Sequence, residues 1–297
     1  MIIRSLDDVT RDALAAMART GDPRLREILT ALVARLHAFA REVRLTEDEF
    51  RAATGVINEI GRLSTDAHNE AVLMAGSLGL SSLVCLLNNG VEGSAETAQS
   101  LLGPFWRLNS PRVANGGSIL RSPTPGEPLF VKGRVVDASG APIEGAEVDV
   151  WHASPVGLYE NQDPDQAEMN LRGKFFTDTQ GRFWFSTVKM VGYPIPTDGV
   201  VGRLLKAQNR QPKRPAHLHA LVVKPGFKVL ISQVYDPDDP NLEDDPQFGV
   251  TQALVGAFVR HDEPHPTDPL IRPPWHTLEH TYQMPPGETK LPAPPIK

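Results

Sequence analysis

Two patterns of apolar spacing divide the chain. Over the first hundred residues, apolar positions recur every three or four places, as they do on one face of a helix. Leu25, Ile28, Leu29, Leu32, Val33, Leu36 and Phe39 form such a stripe, with Asp22-Pro23 ahead of it as N-cap and first-turn proline. Thr46 and Glu49 have the spacing of a capping box that opens a further helix through TEDEFRAATGVINEIGRL. The helical period continues through 71–87, interrupted by Gly76 and Gly79. Near residue 103 the period changes. Gly103-Pro104, Asn109-Ser110-Pro111 and Asn115-Gly116-Gly117 are turn chemistry. Beyond them run short strand-like segments: VKGRVVD and AEVDVWHA, GKFFTD and GRFWFSTV, HLHALVV and KVLISQVY. The turns within these pairs are Ala138–Pro142, Thr179-Gln180-Gly181 and Pro225-Gly226. The pattern predicts a mainly β protein, with a β-sandwich core over 104–297 and an N-terminal all-α domain over 1–103. The proline-rich tail from 262 carries Leu270, Ile271, Trp275, Leu278 and Tyr282, and is expected to wrap the sandwich. The helical stripe needs an apolar partner. The sandwich and a second copy would serve equally, and a dimer would use both.

The bulk figures narrow the class without naming a chemistry. A chain of 297 residues with 40% hydrophobic and 22% charged residues can bury a sizeable core. Net charge is −6 and the pI is near 5.9, which gives no basic footprint for nucleic acid or anionic lipid. Cys85 is the single cysteine and lies in an apolar run, so no internal disulfide forms and a reducing compartment is expected. There is no apolar leader and no stretch near the length of a membrane span. The expected location is cytoplasmic.

The sharpest local feature is His217-Leu218-His219. Residues two apart on a strand share a face, so both imidazoles can reach one metal. Imidazole suits zinc, copper, iron and nickel alike, and an isolated pair of this kind is more often a solvated strand face. Tyrosine is scarce, yet Tyr159 follows Pro155-Val156-Gly157-Leu158 and Tyr193 precedes Pro194-Ile195-Pro196. The prolines restrict both neighbourhoods and would hold a phenol in place. Read alone, both are ordinary sandwich-edge tyrosines. Two phenols with two imidazoles make a coherent ligand set, and a hard anionic phenolate favours a trivalent ion. A bound metal would also keep a phenol deprotonated near neutral pH. His276 and His280, and His261 and His265, read as surface or edge histidines; His152 is either a neighbour of the site or structural. Two other readings compete. One is a zinc or iron(II) site completed by a carboxylate, although none adjoins the histidine strand. The other is a non-catalytic sandwich binding module, suggested by VKGRVVDASGAPIEGAEVDVW and opposed by the single cysteine and the lack of a leader.

In its ordered motifs the chain resembles the intradiol ring-cleaving dioxygenases, the group of catechol 1,2- and hydroxyquinol 1,2-dioxygenases. The resemblance runs from about residue 64 to 260, through LLGPFW (101–106), DVWHASPVGLY (149–159), RGKFFTDTQGRFWFSTV (172–188), YPIPTDGVVGRLL (193–205) and RPAHLH (214–219). It implies a sandwich core, an N-terminal helical linker that makes a homodimer, and a phospholipid in a tunnel between the helices. It further implies Fe(III) held by Tyr159, Tyr193, His217 and His219, with Tyr193 leaving the metal when substrate chelates. Arg214 matches an arginine over the ring, and Gln233 a glutamine near it. The substrates implied are a small aromatic diol or triol and O2, and the product is a muconate-type dicarboxylate. The ferric Lewis acid would draw electron density from the ring, and Arg214 would stabilise the charge that develops. YPIPTDG, GRLLKAQNR and Phe105 look closer to hydroxyquinol enzymes, whose product is maleylacetate, than to catechol 1,2-dioxygenase proper. Hydroxyquinol enzymes usually carry an aspartate near the position of Gly76, whereas here the run is Leu73-Met74-Ala75-Gly76. Either another group meets the third hydroxyl or a bulkier substituent fills the space. Leu73, Ala75, Gly76, Phe105, Ile195 and Pro196 are the expected pocket lining.

Overall fold

The computed structural model describes residues 2–65, 68–89 and 99–295. It divides into two compact units, residues 1–59 and 60–297. The first unit holds helices α1 (Leu6–Met17) and α2 (Pro23–Glu42) and most of α3 (Glu47–Leu63). Their starts are those the caps dictate. Asp22 Oδ1 accepts from Leu25 N at 2.7 Å, and Thr46 and Glu49 exchange backbone-to-side-chain bonds at 3.3 and 2.8 Å. No residue of α1, α2 or α3 is fully buried, and the stripe at Leu25, Ile28, Leu32, Leu36 and Phe39 stays 46–54% exposed.

The second unit contains α4 (Glu70–Ser77), α5 (Leu80–Asn89), α6 (Val200–Ala207) and all the strands. The helix-to-strand change near 103 thus lies inside this unit. Glu70 shows why α4 folds with the strands: it is buried, and its carboxylate accepts from Val201 N at the start of α6 at 2.8 Å. No single described helix is long and apolar enough to cross a membrane; α4 and α5 reach that composition only as a pair bent by 75°.

The strands are β1 (Pro128–Asp137), β2 (Glu147–Trp151), β3 (Arg172–Phe176), β4 (Arg182–Val188), β5 (Tyr193–Pro194), β6 (Lys213–Arg214), β7 (His217–Val223), β8 (Leu230–Tyr235), β9 (Ala257–His261) and β10 (Trp275–Met284). Two four-stranded sheets, in the orders β4-β1-β10-β9 and β3-β2-β7-β8, enclose the main core, and β5 pairs with β6 apart from them. Of the three predicted turns only Pro225-Gly226 closes a hairpin, β7–β8, with Gly226 at φ +89°. The other two carry the chain from one sheet to the other. The tail does not wrap the sandwich. Trp275–Met284 is an interior strand, parallel to β1 and antiparallel to β9, and puts Leu278 and Tyr282 in the core. Prolines 264, 266, 269, 273 and 274 lie just before this strand, and they obscure its alternation in the sequence.

The sheet period places the site. In β7, Leu218, Ala220 and Val222 enter the core between the sheets, so His217 and His219 point out of the opposite face. That face is covered by a second cluster containing Phe105, Trp106, Trp151, Tyr159 and Tyr193.

Candidate active site

Register aligns the side chains of this outer face in rows. Arg172 of β3 lies opposite Trp151 of β2, Trp151 opposite His219 of β7, and His219 opposite Gln233 of β8. His217 lies opposite Tyr235 in the next row. All six are buried. The Trp151 indole stacks on the His219 imidazole, with ring centres 4.6 Å apart and planes 8° off parallel, which fixes that ring.

The two imidazoles converge, with His217 Nε2 and His219 Nε2 3.1 Å apart. His217 Nδ1 donates to Pro215 O at 2.7 Å, so its Nε2 carries the lone pair. Burial, with the Arg214 charge beside it, lowers the His217 pKa to about 3, and burial also drives His219 well down. Both rings are therefore neutral and fit to ligate at neutral pH. Tyr159 joins them from the loop after β2. Its ring stacks on Phe105 at 4.4 Å and lies 5.2 Å from that of Tyr193. The Tyr159 hydroxyl is buried without a well-formed hydrogen bond. Burial and the neighbouring Tyr193 phenol raise its pKa, against the pull of Arg214 and Arg172. A cation at this point would reverse that balance and supply the missing partner. The residues present thus fit a metal.

Arg214 is clamped. Its Nε and Nη2 donate to the two carboxylate oxygens of Asp245 at 3.0 and 2.9 Å. Nη2 also donates to Gln233 Oε1 at 3.0 Å and Tyr235 Oη at 2.6 Å. Burial opposes the charge, but Asp245 and the Tyr235 and Tyr193 phenols beside it together outweigh it and hold the guanidinium protonated. Arg172 supports the other side, donating to Glu160 Oε2 at 2.8 Å and to Phe105 O at 2.6 Å. Gly103, at φ +72°, lets the loop before Phe105 approach His219: a Cβ there would lie 3.2 Å from the ring.

A cavity of about 450 Å³ opens onto Tyr193 and Arg214. Leu73, Phe105, Ile195 and Pro196 are among the residues that line it. Ala75 and Gly76 are not. The space at Gly76 is taken by the side chain of Gln247, whose Oε1 would lie 1.7 Å from a Cβ at that position. Tyr193 faces the cavity while Tyr159 sits behind it. His68 lines the rim of the cavity, while His152, His261, His265, His276 and His280 stand apart from it. His152 is buried, with Nδ1 near Ala153 O and Nε2 near Thr187 Oγ1, both at 2.8 Å, and is structural. His261 and His265 are partly exposed around Trp275. His276 is not at the surface: β10 is an interior strand, and this ring is buried against Glu127 at 2.6 Å. His280 on the same strand is half-buried. Asp245, Tyr235, Arg172, Trp151 and Gln247 are the members that spacing did not reveal; only the scarcity of tyrosine could have drawn attention to Tyr235.

Residues 103–283 match the family model described as Dioxygenase, and residues 22–96 the one described as Catechol dioxygenase N terminus. The chain is 39% identical over 251 residues to a hydroxyquinol 1,2-dioxygenase of Rhizobium sp. (strain MTP-10005), covering 84% of each. It is 38% identical over 255 residues to a catechol 1,2-dioxygenase of Candida albicans, covering 85% of this chain and 84% of the other. The solved hydroxyquinol 1,2-dioxygenase from Pseudomonas putida DLL-E4 superposes with a TM-score of 0.87 at 33% identity, over 95% of this chain and 99% of that one. The chain belongs to the intradiol ring-cleavage dioxygenases, oxidoreductases that incorporate O2 while opening a catechol-type ring between its hydroxyl-bearing carbons.

Proposed function

We propose that Tyr159, Tyr193, His217 and His219 hold a ferric ion with which the chain opens a catechol ring, by preference one carrying a third hydroxyl. The observation that carries this is the convergence of two neutral imidazole nitrogens, 3.1 Å apart, beside a buried phenol that makes no well-formed hydrogen bond. Fe(III) held by these four residues would supply Lewis-acid chemistry toward the two diol oxygens. The chain's own residues do the rest. Tyr193, the phenol that faces the cavity, gives way to substrate and takes a substrate proton at Oη. Arg214 stabilises negative charge on the ring and its oxygens, and its clamp fixes where that charge can form. Trp151, Phe105 and Leu221 keep water from the ligand face. The carboxylate-completed alternative is disfavoured, because among the described residues no three His, Cys, Asp or Glu side chains converge on a metal position. Asp245, a carboxylate whose charge acts on His217, is committed to Arg214.

Hydroxyquinol is the favoured substrate, giving maleylacetate, since several relatives of the chain act on it by name. The half-exposed helical stripe supports a homodimer through the N-terminal linker, with residues 1–103 as that linker, and offers an apolar surface to a phospholipid chain. A single half-buried cysteine suits a reducing cytoplasm, which is the location proposed.

The test is a visible absorption spectrum of the purified protein, recorded without air before and after adding hydroxyquinol or catechol. A broad tyrosinate-to-iron band that shifts with substrate is expected, and Tyr159→Phe and His219→Ala should lose iron. A protein that stays colourless after iron loading, or variants that keep full iron content, would end this assignment.

A further inference from the structure

Arg172, the first residue of β3, is a full charge held at 1% exposure. Burying an ion pair often stabilises a fold no more than apolar side chains of the same size would. Stability is thus a poor reason for a guanidinium here. Its contacts give a better one, because they all lead to Tyr159.

The residue after Tyr159 is Glu160, itself buried. Its Oε2 accepts from Arg172 Nε at 2.8 Å and stands 2.7 Å from Arg172 Nη2, while its Oε1 accepts from Arg107 Nη1 at 3.1 Å. Arg107 also donates outward to exposed Glu168 at 3.1 Å, so Glu160 is left chiefly to Arg172. Arg172 Nη1 donates to Phe105 O at 2.6 Å, and Phe105 is the ring stacked on Tyr159. The guanidinium carbon stands 6.0 Å from the centre of the Tyr159 ring, within reach of its π system. One side chain therefore ties β3 to the backbone that carries Tyr159 and to the loop whose ring packs on it. Tyr193 is placed differently: it lines the cavity, and its strand β5 pairs with β6 over two residues alone.

We propose that Arg172 is a positioning residue of the metal site: it holds the Tyr159 oxygen on its ligand bearing, and its fixed charge weakens the electron donation of that phenolate. This rests on the ferric site proposed above, and it gives the two phenols unequal parts. Tyr159 is the anchor, since the loop at Phe105, the turn at Glu160 and β3 must part before it shifts. Tyr193 is the ligand free to move. The charge of Arg172 is buried and so poorly screened, which lets it act on the phenol it faces.

The experiment loads the full-length protein with iron, without substrate. It reads the visible band and the EDTA concentration that removes half of the metal. Arg172→Gln removes the charge and should move the tyrosinate-to-iron band to longer wavelength, because the phenolate then gives up an electron more easily. The EDTA needed should fall about tenfold, the usual effect of losing a group that orients a metal ligand. Glu160→Gln keeps the cation and removes its counter-charge, so its band should move the other way, to shorter wavelength. Where Glu160→Gln folds poorly, Arg172→Lys takes its place. It keeps the charge but cannot reach Glu160 and Phe105 O together, so it should lose iron more readily with its band near the wild-type position. Each shift should persist in a Tyr193→Phe background, where Tyr159 is the phenolate that remains. A residue that only braces the fold would lower the melting temperature and leave the band where it was. The proposal is overturned by an unmoved band in Arg172→Gln, or by bands that move the same way in Arg172→Gln and Glu160→Gln. An Arg172→Lys band displaced as far as that of Arg172→Gln, or a shift that vanishes with Tyr193→Phe, overturns it too. Failure of the ferric site itself shows differently, as a wild-type protein with neither bound iron nor a visible band.

Discussion

Arg214 is the residue on which the charge chemistry turns, and three groups restrain its plane through four hydrogen bonds. They are not equal. Asp245 neutralises a cation that is 4% exposed, so Asp245→Asn leaves that charge buried and uncompensated, at a cost of about 3 kcal/mol or more in stability. Tyr235→Phe removes the acceptor of one bond from the Arg214 cation and the donor to Gln233 Oε1, leaves no charge uncompensated, and keeps the ring packed 5.1 Å from His217. We expect Tyr235→Phe to fold normally and lose about fivefold to tenfold in kcat/KM, the value of one hydrogen bond that orients the guanidinium. Steady-state kinetics alongside thermal melts check both, and a Tyr235→Phe enzyme as active as wild type would show that the other three bonds suffice. These residues also mark where sequence reasoning ends. His217 and His219 were legible because a strand fixes the direction of residues two apart. Asp245 follows Glu243 and Asp244 in an irregular turn, and nothing in that acidic run says which carboxylate turns inward.

Register converts the strands into a site, and one strand carries a titratable side chain into it. Asp149 of β2 is buried on the ligand-side face, accepting from Trp106 Nε1 at 3.1 Å, and burial raises its pKa from the ordinary 3.8 to about 6. The folded protein therefore binds this proton more tightly than the unfolded chain does. The associated stability is full below about pH 4 and is lost as the pH rises through 6. Asp149→Asn keeps an acceptor for Trp106 and cannot ionise. Its stability relative to wild type should rise by about 2–3 kcal/mol between pH 4 and pH 7, read from urea unfolding at both values. A pH-independent difference would mean that Asp149 titrates normally. At this scale the sequence told where strands turn but not which sheet comes next. Turn residues such as Thr179-Gln180-Gly181 encode a reversal, whereas partner choice depends on facing core residues far away, as with β1 and β10. Hence the hairpin at Pro225-Gly226 was readable and the interior place of Trp275–Met284 was not.

For the whole molecule, the unresolved energetic question is the apolar face of the N-terminal helices. Leu25, Ile28, Leu32, Leu36 and Phe39 repeat along one side of α2 and stay about half exposed, which a lone soluble chain does not favour. The stripe is long enough for a symmetric pairing in which the same patch serves both copies, and covering it at about 25 cal/mol per Å² would offset the cost of association. A protein of 32.5 kDa should then sediment at about twice that mass at micromolar concentration. Leu32→Glu together with Phe39→Glu places four buried charges across the pairing and should shift the species to the single-chain mass. Both positions lie in the unit of residues 1–59, whereas every residue assigned to the ring-opening site lies in 60–297, so the charge-transfer band should persist in the double variant. A wild-type protein that sediments as a single chain would remove the dimer and leave the stripe to another apolar occupant. A variant that becomes monomeric and also loses its band would show that the site depends on assembly, a coupling that the residues of the site do not themselves require.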